Sequence, residues 1–137
     1  MRFLEAQDSY YESAVEELRR GKKSGHWIWY VFPQIAGLGH SHMSKRYAIT
    51  SLDEARAYAA HPVLGPRLLE CIGLVMAVNE KSAKQILGHI DALKFRSCLT
   101  LFAIACDGNP VFQNALDKYF DGQRDVLTLE ATCVKPG

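Results

Sequence analysis

Apolar residues recur at helical spacing through almost every segment of this chain, and one short stretch, Ile28 to Ile35, also suits a strand. A sheet needs a partner strand, which the remaining sequence hardly offers. The spacing predicts an all-α fold: a compact single domain, residues 1–137, of about six or seven short helices with an aromatic segment and a Gly-containing loop.

Local signals place the helices. Phe3, Tyr10, Ala14 and Leu18 mark the first, which Gly21 can stop and whose carbonyl end suits Arg19, Arg20, Lys22 and Lys23. Ser51 with Glu54 forms a capping box for Leu52 to about Ala60. His61-Pro62 breaks that helix, and Gly65 and Pro66 interrupt again before Arg67 to Val78. A short helix ends at Leu87-Gly88, Asp91 caps Ala92 to Cys106, and Val111 to Tyr119 adds an amphipathic helix. Asp125, with Thr128, caps a last short element ending at Glu130, and residues 134–137 read as a loose tail.

Charge narrows the function classes. Sixteen Lys and Arg balance 15 Asp and Glu, so a whole-molecule basic field for nucleic acid is absent. The distribution is uneven, because no acid lies between Glu17 and Asp53 while His26, His40, His42, Lys45 and Arg46 do. The longest apolar run, Cys71 to Val78, is eight residues and cannot cross a bilayer. Met1 to Tyr11 has no apolar run of a signal peptide, so a cytoplasmic protein with reduced thiols is expected. Cysteine spacing supports no zinc cluster, the His40–His42 pair lacks a third ligand, and neither metal nor cofactor is expected.

Three stretches carry the chemistry. His26-Trp27-Ile28-Trp29 and the following residues to Gln34 are uncharged and hold both tryptophans. Trp27 and Trp29 can stack on a flat ligand and Gln34 can read a polar edge; the plainer alternative makes the rings core. Gly37 to Tyr47 joins glycine backbone to Ser41, Ser44, Lys45, Arg46 and Tyr47, which suits a phosphate, although a serine here also suits a helix cap. Asp91, Lys94, Ser97 and Thr100 repeat every three residues along a helix side that can face the aromatic segment or simply meet solvent. Asp91, His26 and Asp125 are the candidate acid–base groups, with Asp125 also explained as a cap. Gln7 and Asp8 support a site only if the first helix packs beside it.

A family resemblance follows from the succession of blocks. Gln7-Asp8, His26-Trp27-Ile28-Trp29, Phe32-Pro33-Gln34, Gly37-Leu38-Gly39, Leu52-Asp53-Glu54-Ala55-Arg56-Ala57-Tyr58, His61-Pro62-Val63-Leu64-Gly65-Pro66-Arg67-Leu68 and Asp91-Ala92-Leu93-Lys94-Phe95-Arg96-Ser97 resemble the bacterial domain of unknown function numbered 1810. The resemblance covers almost the whole chain and implies a small, mainly helical protein without an assigned reaction. It also implies a distant relation to the family associated with NAD and ADP-ribose, linked to N-glycosidic chemistry. That family's glutamate motif has no match near Trp27 or Trp29. Two functions follow: binding or hydrolysis of an ADP-ribose- or nucleotide-like ligand, or a non-enzymatic protein-interaction domain.

Overall fold

A computed structural model describes residues 2–39 and 41–132. Among these the fold is all-helical, as expected, but with nine helices instead of six or seven. They are α1 (Arg2–Arg19), α2 (Ile28–Val31), α3 (His42–Arg46), α4 (Leu52–Ala60), α5 (Leu64–Met76), α6 (Ala83–Leu87), α7 (His89–Ala105), α8 (Val111–Phe120) and α9 (Val126–Thr132). The surplus comes from α2 and α3, four and five residues long, too short to show a helical period. The candidate strand is therefore the turn of α2 followed by extended chain. Its one sheet-like contact is a parallel bridge, Ile35 to Ile49, closed by Ile49 N–H to Gln34 C=O and Ala36 N–H to Ile49 C=O, both 2.8 Å. His40, Cys133 and the tail 134–137 lie outside the described residues.

Helix α7 is the axis of the molecule. It packs against α4, α6, α8 and α9, while α1 lies on α5 and α2. Its central residues are buried almost all round, from Phe95 through Cys98, Leu99, Leu101 and Phe102, the pattern of a helix enclosed by others. Aromatic rings tie the layers: Phe32 meets Phe95 at 4.7 Å between centroids, and Phe102 meets Tyr58 at 5.6 Å and Phe112 at 5.7 Å. Such pairs add about 0.5–1.5 kcal/mol each beyond their area burial.

Boundaries shift where local chemistry has two uses. Gly65 and Pro66 do not interrupt α5; they sit in its first turn, where proline's missing N–H would have had no helical partner. Asp91 lies inside α7 and does not cap it; Gly88, at φ 90°, makes the corner from α6 to α7, a conformation costly for other residues. Ser51 accepts the Glu54 amide at 3.0 Å, but Glu54 reaches back to the Thr50 amide at 2.9 Å, so the expected box is half formed. The complete box is Ser82 with Gln85, closed by bonds of 3.1 and 2.8 Å. Ser82→Ala is expected to lower stability by about 1 kcal/mol, read as a shift in the urea midpoint at unchanged slope. An unmoved midpoint would show that α6 is held by packing alone.

Candidate functional site

The aromatic segment divides its rings between interior and site. Trp27, Ile28, Tyr30, Val31 and Phe32 all turn inward, whereas Trp29 is half-buried. Gln7, itself 1% exposed, anchors this turn by donating to Tyr30 C=O at 2.6 Å and the Tyr58 hydroxyl at 2.8 Å. The first helix therefore does support the segment, through packing. Trp27 is also 1% exposed. The expectation that it stacks on a ligand is corrected, because the ring is enclosed, with Phe32 at 6.1 Å between centroids and the Lys23 ammonium 4.9 Å from the Trp27 centroid.

A buried carboxylate sets the loop before Trp27. Glu17 Oε1 accepts the amides of Ser24 at 2.6 Å and Gly25 at 2.7 Å and the Trp27 indole N–H at 3.0 Å. Burial pushes its carboxyl upward, but those amides, the indole and the nearby Lys23 ammonium outweigh burial and hold it below its ordinary value. Lys23 donates to Gly25 C=O and lies 2.7 Å from Asp91 Oδ2, with its side chain 6% exposed. Lys94 stands 3.8 Å from Asp91 Oδ1 and 4.7 Å above the Trp29 ring. Asp91 thus ties the 23–27 loop to α7 and holds two ammonium groups, Lys23 over the Trp27 ring and Lys94 over the Trp29 ring.

These side chains line one open hollow of about 490 Å³ at the amino end of α7, bordered by Lys23, His26, Trp29, His89, Asp91 and Lys94. Four residues singled out in the sequence, His26, Trp29, Asp91 and Lys94, are brought together there. Lys23 and His89 were not among them; neither stands in a motif, and Lys23 is placed by an ion pair across the fold. Trp29 also borders a second, much smaller slot of about 20 Å³ with Gln34, Gly37, Gly39, Ser44 and Tyr47. Among the described residues its indole N–H is buried and has no hydrogen-bond partner.

Other expected site residues go elsewhere. Thr100 is fully buried; its hydroxyl donates to Arg96 C=O at 2.8 Å and accepts the Asp125 amide at 2.9 Å. Asp125 caps α9 through the Thr128 amide at 2.9 Å and hydroxyl at 2.6 Å. Ser97 is buried and donates to Leu93 C=O at 3.1 Å. The expected ligand-facing side of α7 is therefore corrected beyond Lys94: its two hydroxyls serve backbone and the α7–α9 joint, and Asp125 does not join His26 and Asp91. Ser41 caps α3 by accepting the Ser44 amide at 3.1 Å. Lys45 and Arg46 are exposed and border neither the hollow nor the slot, so the site's cations come from α7 and the 23–27 loop instead. Tyr47 is a buried ring, packed on Tyr30 at 5.2 Å, that also borders the slot. Burial pushes the Cys71 thiol up to about 12 and Cys98 well above its ordinary value, so neither supplies a thiolate.

The fold and site define a small all-helical protein with an aromatic, cation-lined hollow at the head of its central helix. The chain belongs to the family described as "Protein of unknown function (DUF1810)", whose model matches residues 1–132. It is similar to the conserved hypothetical protein Rv1873 from Mycobacterium tuberculosis, known from a crystal structure. The two share 51% identity over 98% of this chain and 96% of that one, with a TM-score of 0.96. No curated protein matches the chain. Among the described residues no helix is long and apolar enough to cross a membrane.

Proposed function

We propose that this protein binds a small anionic, nucleotide-like ligand in the hollow beside Trp29, an ADP-ribose-like molecule being one such ligand. The carrying observation is that Lys23, Lys94, His26 and His89 border one open hollow walled by the half-buried Trp29, with the Lys94 ammonium 4.7 Å above the Trp29 ring. Ammonium groups make charge-assisted hydrogen bonds to phosphate oxygens, and the amino end of a long helix favours negative charge. Trp29 offers a flat apolar wall to the remainder of the ligand. Asp91 has one oxygen beside each lysine, so its part is to position the cations, and no bond-breaking step is assigned to it.

The two tryptophans make the test direct. Trp27 is enclosed and Trp29 borders the hollow, so ADP-ribose or a simple nucleotide should change the fluorescence of Trp29 alone. Saturable quenching is expected in the native protein, no quenching in a folded Trp29→Phe variant, and about tenfold weaker binding in Lys94→Ala, the scale of one charge-assisted bond. Absence of binding across a panel of nucleotides and ADP-ribose would overturn the reading.

One observation favours a second reading, a protein-interaction domain. Helices α7 and α9, which pack together, leave Ile90, Leu93, Val126 and Leu127 at least half exposed, an apolar surface of the kind that marks partner sites. A stoichiometric complex abolished by Leu93→Glu and insensitive to nucleotide would support this alternative over the first.

A further inference from the structure

A separate recess lies between the start of α1 and α4 and shares no lining residue with the hollow. Glu54, Ala57 and Tyr58 border it from one face of α4, being three and four residues apart, and His61 follows at the carboxyl end of that helix. Arg2 and Phe3 of α1 form the opposite border, and the volume is about 200 Å³. Phe3, Tyr58 and Leu64, all core residues, make much of the lining apolar. One pair of opposite charges stands on the rim, with Arg2 Nη2 3.4 Å from Glu54 Oε1. Backbone groups hold both members: Arg2 Nη2 also donates to Ala48 C=O, and Glu54 Oε1 accepts the Thr50 amide, each at 2.9 Å. The two side chains remain 34% and 33% exposed. Among the described residues, Arg2 Nε and Nη1 and Glu54 Oε2 make no further hydrogen bond.

We infer that this recess binds a free α-amino acid with a branched apolar side chain, of valine to leucine size. An amino acid carries an ammonium and a carboxylate on one carbon, side by side, as the rim carries a carboxylate and a guanidinium in contact. The ligand carboxylate accepts from the remaining Arg2 N–H groups, and its ammonium donates to Glu54 Oε2. The side chain then lies on Ala57, Tyr58 and Leu64. A ligand with a single charge would meet one rim partner and be repelled by the other, so the balanced pair selects a zwitterion. Size sets the other limit. Benzene fills a cavity of about 150 Å³, so about 200 Å³ takes about eight or nine non-hydrogen atoms, which admits valine and leucine and excludes tryptophan. The inference stands apart from the anion-binding reading, because the two sites have no residue in common.

Calorimetric titration of the whole chain with L-leucine, L-leucinamide, 4-methylpentanoate, glycine and L-tryptophan tests this. Leucinamide lacks the carboxylate, 4-methylpentanoate lacks the ammonium, glycine lacks the side chain and tryptophan exceeds the space. Leucine should bind with a Kd on the order of 1 mM, as befits so small a ligand. Each of the other four should bind at least about tenfold more weakly, the worth of one charge-assisted bond or of the apolar contact. Two variants locate the site. Glu54→Gln keeps an acceptor for the Thr50 amide and removes only the charge, so leucine affinity should fall at least about tenfold. Ala57 is exposed, and Ala57→Phe lays a ring across the recess without removing either charge, so leucine binding should be lost. Cooperative urea unfolding reports that each variant is folded. Absence of saturable leucine binding, equal affinity for leucine and either singly charged analogue, or leucine binding unchanged in both variants would overturn the site.

Discussion

Gly65→Ala is expected to destabilise the protein by on the order of 3 kcal/mol, enough to lower the melting temperature by about 10 °C in a domain of this size. A methyl group at this position would stand 2.1 Å from Ala59 C=O oxygen and 3.0 Å from its carbon. The obstacle is the backbone of α4, which cannot swing aside as a side chain would. Relief requires α4 and α5 to separate, and both rest on the buried cluster of Ala55, Tyr58, Leu64 and Leu68. The short linker between them allows little adjustment, because His61 accepts the Val63 and Leu64 amides through Nδ1 at 3.1 and 3.2 Å. Gly73 on the same helix gives the control. It is exposed, a methyl group there meets nothing within 4 Å, and alanine is the better helix former by about 0.8–1.0 kcal/mol. Gly73→Ala should therefore stabilise where Gly65→Ala destabilises. Equal small effects in denaturant unfolding would show that the α4–α5 crossing is looser than its geometry.

The same two glycines show which parts of the fold were legible in the sequence. Long helices announce themselves because each buries one stripe, so Phe3 to Leu18 and Leu52 to Ala60 read almost to their true ends. A single turn buries no stripe, and α2 and α3 left no period to read. Glycine and proline are ambiguous for a different reason: Gly65-Pro66 reads as a break in one dimension, yet in three it opens a helix and admits a neighbouring backbone. The role of such a residue depends on what crosses it.

The candidate site was legible to a similar depth. An uncharged aromatic run with histidine, and an aspartate and lysine three apart on a helix, were enough to single out His26, Trp29, Asp91 and Lys94. Which tryptophan faces outward was not legible, since both rotations of a short turn satisfy the sequence equally. Gln7 and the aromatic pairs decide that rotation. Ser97 and Thr100 were misplaced because spacing reports a common helix side but not whether another helix covers it, and α9 covers this one. Lys23 looked like a cap for α1 because its partner Asp91 lies far along the chain.

Glu17 is where fold and site depend on one atom, and its removal should cost on the order of 3 kcal/mol. Glu17→Ala leaves the Ser24 and Gly25 amides and the Trp27 indole without the oxygen on which all three converge, and each unpaired buried donor costs about 1–3 kcal/mol, reduced where water can enter. The charge adds a pH signature. Because the folded carboxyl lies below its ordinary value of 4.5, its stabilisation is complete above that value and is lost as the pH falls through the lower, folded value. Urea unfolding of native protein and Glu17→Gln should differ at neutral pH and converge as the solution becomes more acid than about pH 4.5. The glutamine keeps an acceptor for the three donors and loses only the charge, so it should sit between native protein and Glu17→Ala at neutral pH. A constant gap between native and Glu17→Gln from neutral to strongly acid conditions would show that the charge contributes nothing. The loop that Glu17 holds carries Lys23 and His26 to the hollow, so Glu17→Ala should also weaken ligand binding in molecules that remain folded. Loss of stability with ligand affinity intact would separate the two and place the rigidity of the site in the Lys23–Asp91 pair alone.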